Sequence, residues 1–139
     1  MTARYTITIS GVARGKGRLR TFASRAGGYT PAQTVNAEAW VKSCAFEQIG
    51  QPVLTTPVAV TVGIDVEVPA SWSRKRREAA LNGTIHPTGK PDLDNCIKLL
   101  MDSLNKLAWR DDAQVVRLTA SKRYATAPQT VVEIAEVMP

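Results

Sequence analysis

The stretch Lys90–Gln114, KPDLDNCIKLLMDSLNKLAWRDDAQ, joins a helical apolar pattern to a concentration of negative charge. Apolar residues recur in it at three- and four-residue spacing, which predicts an amphipathic helix from about Asp94 to Leu107. The residues of this apolar pattern are Leu93, Ile97, Leu100, Met101, Leu104 and Ala108. Leu99 falls on the polar side of the predicted helix, where a contact with a second copy of the chain would explain it.

The acidic residues of this stretch are unusual in a chain whose net charge is +6. Four of them form two close pairs, Asp92 with Asp94 and Asp111 with Asp112. Two carboxylates ~5 Å apart repel each other by about 3 kcal/mol at an effective dielectric constant of 20. Lys98 would offset part of that repulsion, and Mg²⁺ or Mn²⁺ would offset the rest, because hard oxygen ligands suit these ions.

A structural explanation stays open for each acidic pair. Either member of the first pair can cap the predicted helix, and the second pair can form a turn. The two pairs meet only if the strand that follows Asp112 packs beside the start of the helix. That condition depends on the strand arrangement, which the sequence does not give.

The remaining segments predict strands and helices around this stretch. Alternating residues predict strands at 4–10 and 58–68, and the segments 113–125 and 130–137 predict two final strands joined by a turn at Pro128. Helical spacing predicts a helix at 34–50, and a short basic helix is expected from Ser73 to Leu81. Residues 11–31 are rich in Gly and Arg and predict a loop. The order β-loop-α-β-α-α-β-β predicts one compact α+β domain over residues 1–139, with helices packed on a mixed or antiparallel sheet.

Composition narrows the class of protein. At 139 residues and 44% hydrophobic content the chain suits one folded domain, and no stretch approaches the ~20 apolar residues of a membrane span. The N-terminus lacks the apolar run of a signal peptide, and the two cysteines, Cys44 and Cys96, are expected to be reduced thiols in a cytoplasm. A pI near 9.7 favours a polyanionic partner, nucleic acid first and an acidic membrane surface second.

Basic residues are clustered in two places. No acidic residue precedes Glu38, whereas six basic residues do: Arg4, Arg14, Lys16, Arg18, Arg20 and Arg25. The second cluster is the run Arg74, Lys75, Arg76 and Arg77. Each cluster alone could be a solvated face, but two clusters flanking a carboxylate centre favour phosphate binding.

Two motifs in the opening stretch resemble a known family. KPDLDNCIK at 90–98, followed by WRDDAQV at 109–115, resembles the RusA family of Holliday junction resolvases, small endodeoxyribonucleases of prophages and bacteria. Upstream, GKGRLRTF at 15–22 is similar to the basic N-terminal loop of that family, and the segment beginning at 69 to its central segment. The resemblance extends over roughly residues 4–124, and the acidic motifs are its most specific part.

The resemblance implies a site and a reaction. Asp92, Asp94 and Asp112 match the essential metal-binding positions of the family, Asp111 matches their acidic neighbour, and Lys98 matches the lysine of the helix. RusA-like enzymes are homodimers that bind four-way DNA junctions and cut two strands symmetrically with Mg²⁺, for which Mn²⁺ can substitute, in DNA recombination and repair. The resemblance also implies catalysis by the three aspartates and Lys98.

The basic residues are expected to bind the phosphates of the DNA arms. The candidates are Lys16, Arg18, Arg20, Arg74, Lys75, Arg76 and Arg77.

Two other functions compete with this interpretation. A non-catalytic DNA-binding protein could carry the acidic cluster for structural reasons, and a metal nuclease could act on another branched or single-stranded nucleic acid. The glycine-rich segment lacks the Ser or Thr that follows the lysine in a Walker loop, here Lys16. His86 is the only histidine, which excludes sites that need two histidines within one chain. Of the tryptophans, Trp40 and Trp109 are expected in core or dimer packing, while Trp72 could stack on bases.

Overall fold

A computed structural model describes residues 2–17 and 32–139, together with the backbone of residues 20–21 and 28–29. Its helices and strands are β1 (Arg4–Ser10), β2 (Arg20–Thr21), β3 (Gly28–Tyr29), α1 (Ala32–Ile49), β4 (Val58–Glu67), α2 (Arg74–Leu81), α3 (Leu93–Leu104), β5 (Val115–Ala125) and β6 (Gln129–Glu136). A single 3₁₀ turn, Asp112–Gln114, precedes β5. Apart from the small β2–β3 pair, the element order is the one that the sequence predicts.

The described residues form one α+β domain around a mixed sheet in the order β1-β6-β4-β5. Strands β4 and β5 are parallel, while β6 is antiparallel to both β4 and β1. The last two strands of the chain therefore lie on opposite sides of β4 and do not pair with each other. This order leaves β1 and β5 as the two edges of the sheet.

The sheet has one buried face and one open face. Val58, Val60, Val62 and Ile64 alternate along β4 and are buried, as the period of two predicts. The helices α1 and α3 pack on this face, since both contribute to the same hydrophobic core as β4. No helix of the described residues is long and apolar enough to cross a membrane.

Helix α3 differs from its prediction in length and in orientation. It ends at Leu104, three residues before the predicted Leu107, and Lys106 follows in a left-handed conformation with φ 72°. Leu99 lies in the core at 2% exposure, so its assignment to the polar side and to a dimer contact is wrong. The most buried positions are Cys96, Leu99, Leu100, Ser103 and Leu104, which shows that the buried face is rotated from the predicted stripe.

Helix α1 confirms the predicted helix, but its largest apolar side chains do not form the core. Trp40 is half exposed and its indole Nε1 donates a hydrogen bond to the carbonyl oxygen of Ser10 at 3.1 Å. Phe46 is also exposed, whereas the smaller Val41 and Ala45 are buried against the sheet. Trp109, by contrast, is fully buried in the core, as expected.

Candidate active site

The first acidic pair lies at the start of α3. Asp92 is the N-cap residue, but its side chain makes no capping hydrogen bond, and Asp94 follows in the first turn. Both carboxylates are exposed. The backbone before them is held by Lys122 of β5, whose Nζ donates to the carbonyl oxygens of Gly89 at 2.9 Å and Pro91 at 3.1 Å. The chain therefore fixes the position of this pair while leaving the carboxylate oxygens free to bind a cation.

The pKa of a buried thiol, that of Cys96, responds to the charges at this end of the helix. Burial raises the pKa of Cys96 to about 11, the Lys122 cation opposes that rise, and the carboxylates of Asp92 and Asp94 add to it. Cys96 is 1% exposed and takes its place in the core beneath the first turn. Asp92, Asp94 and Lys122 are thus close enough to act on one buried group.

The glycine-rich loop packs against the same turn of α3. The amide of Lys16 donates to the carbonyl oxygen of Asn95 at 3.1 Å. A Cβ atom at Gly15 would lie 3.0 Å from the Cβ of Asn95, so the loop approaches the helix too closely for a larger residue without displacement. Glycine here allows the close approach of loop and helix, a role that differs from that of the glycines in a phosphate-binding loop.

Lys16 itself is occupied by protein partners. Its Nζ contacts the carboxylate of Asp102 on α3 and lies 3.3 Å from Glu38 on α1. The hydrogen bond with Asp102 is the largest cause that raises the pKa of Lys16 above its ordinary value of 10.5. Lys16 was predicted to bind DNA, but the structure places it in an ion pair that ties the loop to two helices.

The second acidic pair lies beyond the other end of α3. The Nε1 of buried Trp109 donates to Oδ1 of Asp112 at 2.8 Å. Asp111 caps the 3₁₀ turn: its Oδ2 accepts from the amide of Ala113 at 3.0 Å, and the side chain of Gln114 accepts from the amide of Asp111 at 2.7 Å. Both carboxylates are oriented by hydrogen bonds within their own chain. For Asp111, the alternative that the second acidic pair forms a turn is therefore consistent with the structure.

The two acidic pairs do not meet within one chain. Helix α3 has 12 residues and is therefore about 18 Å long. Strand β5 follows Asp112, and it is Lys122, near the C-terminal end of this strand, that contacts the backbone before α3. Asp112 precedes the N-terminal end of β5 and therefore lies away from the start of α3. Among the described residues no three His, Cys, Asp or Glu side chains form a group that could hold a metal ion. The donor atoms are those that Mg²⁺ prefers, but one chain does not assemble them into a complete site.

Lys98 lies one turn after Asp94 and is exposed, as the helical spacing predicts. The described residues provide it with no salt bridge within 4.0 Å. Its ammonium group therefore remains available at the same end of α3 as Asp92 and Asp94.

The basic helix α2 presents further cations at the surface. Ser73 caps it by accepting a hydrogen bond from the amide of Arg76 at 3.3 Å. Arg74 forms an exposed pair with Glu78 at 3.4 Å, a type of contact that contributes little to stability. The side chain of Lys75 is also exposed, and Arg77 is half-buried.

Trp72 is packed by its own chain. The guanidinium of Arg76 lies 3.8 Å from the centre of the Trp72 ring, and Tyr124 of β5 contacts the ring edge-on at 5.2 Å. One face of the indole is therefore covered by a cation, which favours a structural role over base stacking. The side chains of Arg18 and Arg20, the other predicted DNA contacts, lie outside the described residues.

One cavity among the described residues lies apart from the acidic residues. It has a volume of about 400 Å³ between β1, α1 and α3, and its apolar lining includes Ile9, Val12, Trp40 and Leu99. None of the four candidate aspartates lines it. Asp92 and Asp94 are instead exposed at the surface, which suits a large polyanion better than an enclosed small molecule.

The exposed carboxylates of Asp92 and Asp94, with exposed Lys98 one turn further on, suit the binding of a divalent cation and a phosphate. Residues 11–135 match the family model described as Endodeoxyribonuclease RusA. The match covers most of the chain, and the chain therefore belongs to the RusA endodeoxyribonuclease family and is a nuclease. The resemblance of 90–98 and 109–115 to that family is confirmed. RusA nucleases are generally dependent on a divalent metal ion.

The chain is also similar to a curated bacterial protein. It is 34% identical over 136 residues to "Uncharacterized protein YqaN" of Bacillus subtilis (strain 168), and the alignment covers 96% of each chain. The name of that relative assigns no activity. The likeness therefore supports the extent of the domain and adds nothing to the chemistry.

Sequence reasoning missed two residues that organise the site. Lys122 anchors the backbone before Asp92, and Trp109 orients Asp112. The buried tryptophan three residues before an aspartate was a usable signal, because a buried indole N–H needs an acceptor. No local signal could have singled out Lys122, since its partners are backbone carbonyls 31 and 33 residues away.

Proposed function

We propose that this nuclease resolves Holliday junctions by paired symmetric nicks that require Mg²⁺, with Mn²⁺ as a substitute. It acts as a homodimer in DNA recombination and repair, in the cytoplasm of a bacterial or phage-infected cell. Membership of the RusA family supports the substrate class. The observation that carries the proposal is the pair of exposed carboxylates, Asp92 and Asp94, held at the start of α3 with no capping bond from Asp92.

Because one chain keeps Asp92 and Asp94 apart from Asp112, the three carboxylates would hold the ion only in the proposed homodimer, with Asp111 beside them. A bound divalent cation supplies a Lewis acid and lowers the pKa of a coordinated water. The protein's own contribution is positional: Lys122 fixes the backbone before Asp92, and Trp109 fixes the carboxylate of Asp112. Asp111 contributes mainly by capping the turn that carries Asp112.

Lys98 would bind the scissile phosphate as a point charge. Its ammonium group is exposed one turn from Asp94, which suits contact with a non-bridging oxygen. Lys98→Ala should therefore lower the cleavage rate about 10-fold or more with a smaller change in junction affinity. An equal loss of affinity and rate would instead make Lys98 a DNA-binding contact without a role in turnover.

The basic residues of α2 would position the arms of the junction through their phosphates. Phosphate contacts fix register and orientation but carry no direct sequence information. Arg74 and Lys75 are exposed and suit this role best. Arg18 and Arg20 remain candidates for the same role, whereas the protein contacts of Lys16 favour structure over DNA binding.

A labelled synthetic four-way junction tests the proposed function. The full chain should make paired nicks at symmetric positions with Mg²⁺ and none with a chelator. A linear duplex of the same sequence is the matched control and should be cut far more slowly. Tight junction binding without cleavage in Mg²⁺ or Mn²⁺, or preferential cutting of flaps or single strands, would overturn the proposal.

A further inference from the structure

Arg110 is an exposed cation beside the second acidic pair. It directly precedes Asp111 and lies two residues before Asp112. Within the described part of the chain, its guanidinium has no carboxylate within 4.0 Å. The two carboxylates that follow it accept hydrogen bonds from other groups, the indole of Trp109 and the amide of Ala113. The charge of Arg110 is therefore available to an anion from outside the chain.

Two other arginines show what an occupied guanidinium looks like in this fold. Arg123 pairs with Asp65 at 2.9 Å, and Arg76 covers the ring of Trp72 at 3.8 Å from its centre. Both side chains thereby bind a neighbour on the surface of their own chain. Arg110 differs from them because it forms no ion pair with a described residue, although two carboxylates follow it directly in sequence.

The backbone that carries Arg110 is fixed on both sides. Its amide donates to the carbonyl oxygen of Leu54 at 3.0 Å, and the amide of Leu54 donates to that of Ala108 at 2.9 Å. The carbonyl oxygen of Trp109 accepts from the amide of Lys106 at 2.8 Å, and the indole is fully buried. An anion that binds Arg110 therefore has to order only its side chain, since the entropy of this backbone was lost on folding.

The same buried tryptophan sets the positions of Arg110 and of Asp112. Trp109 directly precedes Arg110, and its Nε1 donates to Oδ1 of Asp112 at 2.8 Å. Two residues of chain span at most ~7 Å, so the Cα atoms of Arg110 and Asp112 lie within that distance. An anion that approaches Asp112 is therefore within reach of the guanidinium.

A DNA phosphate at Asp112 needs a nearby cation. Both carboxylates of this pair repel it, because like charges repel at short range. Lys106 offsets part of the charge of Asp111, from which its Nζ lies 3.9 Å away. Lys98 of the same chain lies near the start of α3, at the end of the first acidic pair. Arg110 is carried by the same segment as Asp112 and accompanies this carboxylate wherever it acts.

We infer that Arg110 is a further substrate-binding residue, whose guanidinium binds a DNA phosphate at or next to the position that is cut. The inference rests on the proposed function for the presence of DNA at Asp112. A guanidinium suits this role because it is planar, keeps its charge and donates two parallel N–H groups to phosphate oxygens. Arg110 thereby positions the strand, while the carboxylates act on the bond.

Junction binding in the presence of a chelator tests Arg110 without relying on cleavage or on metal. A methylphosphonate, which removes the charge of one phosphate, is placed at equivalent positions of two opposed strands and moved stepwise past the branch point. Arg110→Gln should bind the unmodified junction about 10-fold more weakly than the wild type, because a charge-assisted hydrogen bond is lost. At one position the methylphosphonate should weaken the wild type but not the variant, since the two changes remove the same contact.

The position of this contact and its salt dependence complete the test. The insensitive phosphate should be the one that the wild type cuts in Mg²⁺ or its direct neighbour. The slope of log affinity against log salt should fall in Arg110→Gln by about 0.9 for each phosphate lost. Arg110→Lys keeps the charge and should bind with an affinity between those of Arg110→Gln and the wild type.

Lys42→Gln is the matched control, because it removes one exposed positive charge from α1. It should keep the affinity of the wild type and its sensitivity at every methylphosphonate position. Arg110→Gln should also unfold at the urea concentration of the wild type, as expected for an exposed side chain without an ion pair. A lowered urea midpoint with unchanged junction affinity would show that Arg110 only balances the charge of Asp111 and Asp112.

The failure of the inference is distinguishable from the failure of the proposed function. If Arg110→Gln binds as tightly as the wild type, or loses affinity at every position that the wild type does, the inference alone is overturned. The same holds if the insensitive phosphate lies far from the cut, or if Arg110→Lys binds no better than Arg110→Gln. A wild type that does not bind the junction overturns both. A wild type that binds with the expected pattern but makes no nicks overturns the proposed function and leaves the phosphate contact of Arg110 confirmed.

Discussion

The two ends of α3 carry the same type of residue in opposite situations. At the start, Asp92 makes no capping bond and both it and Asp94 are exposed. Beyond the other end, Trp109 orients Asp112, and Asp111 caps a turn. Carboxylates of the first kind keep both oxygens for a cation, while those of the second kind are fixed by the fold. Asp92 and Asp94 are thus free to bind a cation, whereas Asp111 and Asp112 already accept hydrogen bonds within the fold. Mutations at the two ends of α3 should separate these two roles.

Neutralising a carboxylate at the start of α3 should have the largest effect on junction cleavage. We expect Asp94→Asn to lower junction cleavage by about 100-fold or more, because several kcal/mol of transition-state stabilisation would disappear with the metal ligand. Junction binding should be unchanged or tighter, since a negative charge near the phosphates is removed. Single-turnover cleavage and a gel-shift titration measure the two quantities.

The matched control is Glu133→Gln, which neutralises an exposed carboxylate on β6 away from α3. It should cut at the wild-type rate. Cleavage by Asp94→Asn at the wild-type rate would contradict the assignment of the free end.

Two variants beyond the C-terminal end of α3 should separate the effect of the charge of Asp112 from the effect of its orientation by Trp109. Asp112→Asn keeps an oxygen acceptor for Trp109, so its stability should stay within about 0.5 kcal/mol of the wild type while cleavage falls strongly. Trp109→Phe removes both the donor and buried volume, so the free energy of unfolding should fall by about 1–3 kcal/mol. Its cleavage rate should fall less than that of Asp112→Asn, because the carboxylate remains. Urea unfolding and cleavage assays give both values, and the reverse ranking of rates would contradict the comparison.

The parts of the fold that could be predicted depend on local patterns. The alternation of Val58, Val60 and Val62 predicts a half-buried strand, and Ser73 before a basic run predicts the start of α2. The spacing in α3 predicts its existence, but the helix ends early because Asn105 takes an extended conformation with ψ 133° and Lys106 a left-handed one, and the apolar spacing signals neither. Leu99 could not be placed, since a rotation of the helix about its axis depends on the partners it packs against.

The candidate site was predictable in composition and not in geometry. The acidic motifs identify Asp92, Asp94 and Asp112 through residue type and resemblance. Their separation follows from the parallel pairing of β4 with β5, which places Lys122 and not Asp112 beside the start of α3. That pairing joins residues 58 positions apart from Ala59 onwards, and no local pattern encodes its direction.

The same contrast between free and held groups applies to the cations. Arg74 and Lys75 are exposed on α2 and Arg77 is half-buried there, while Arg76 packs on Trp72. Changing the first three to Ala should weaken junction binding and reduce the slope of log affinity against log salt by about 0.9 for each phosphate that the variant no longer neutralises. Titrations at several salt concentrations give the slope. Lys42→Ala, on the exposed side of α1, is the single-charge control. A triple variant with the wild-type slope would show that the basic residues of α2 form a solvated surface and do not bind DNA.

Lys16 should show the smallest effect, because its partners are Asp102 and Glu38. Lys16→Gln should lower the free energy of unfolding by about 0.2–1 kcal/mol, the range of exposed ion pairs, and leave the salt slope of DNA binding unchanged. Since the pKa of Lys16 is raised above 10.5, its contribution is fully present below that pH and disappears as pH rises through the higher folded value. The stability difference between wild type and variant should therefore stay constant from pH 7 to about pH 10 and shrink above it. A salt slope reduced by about 0.9 would instead show that Lys16 leaves its ion pair to bind a phosphate.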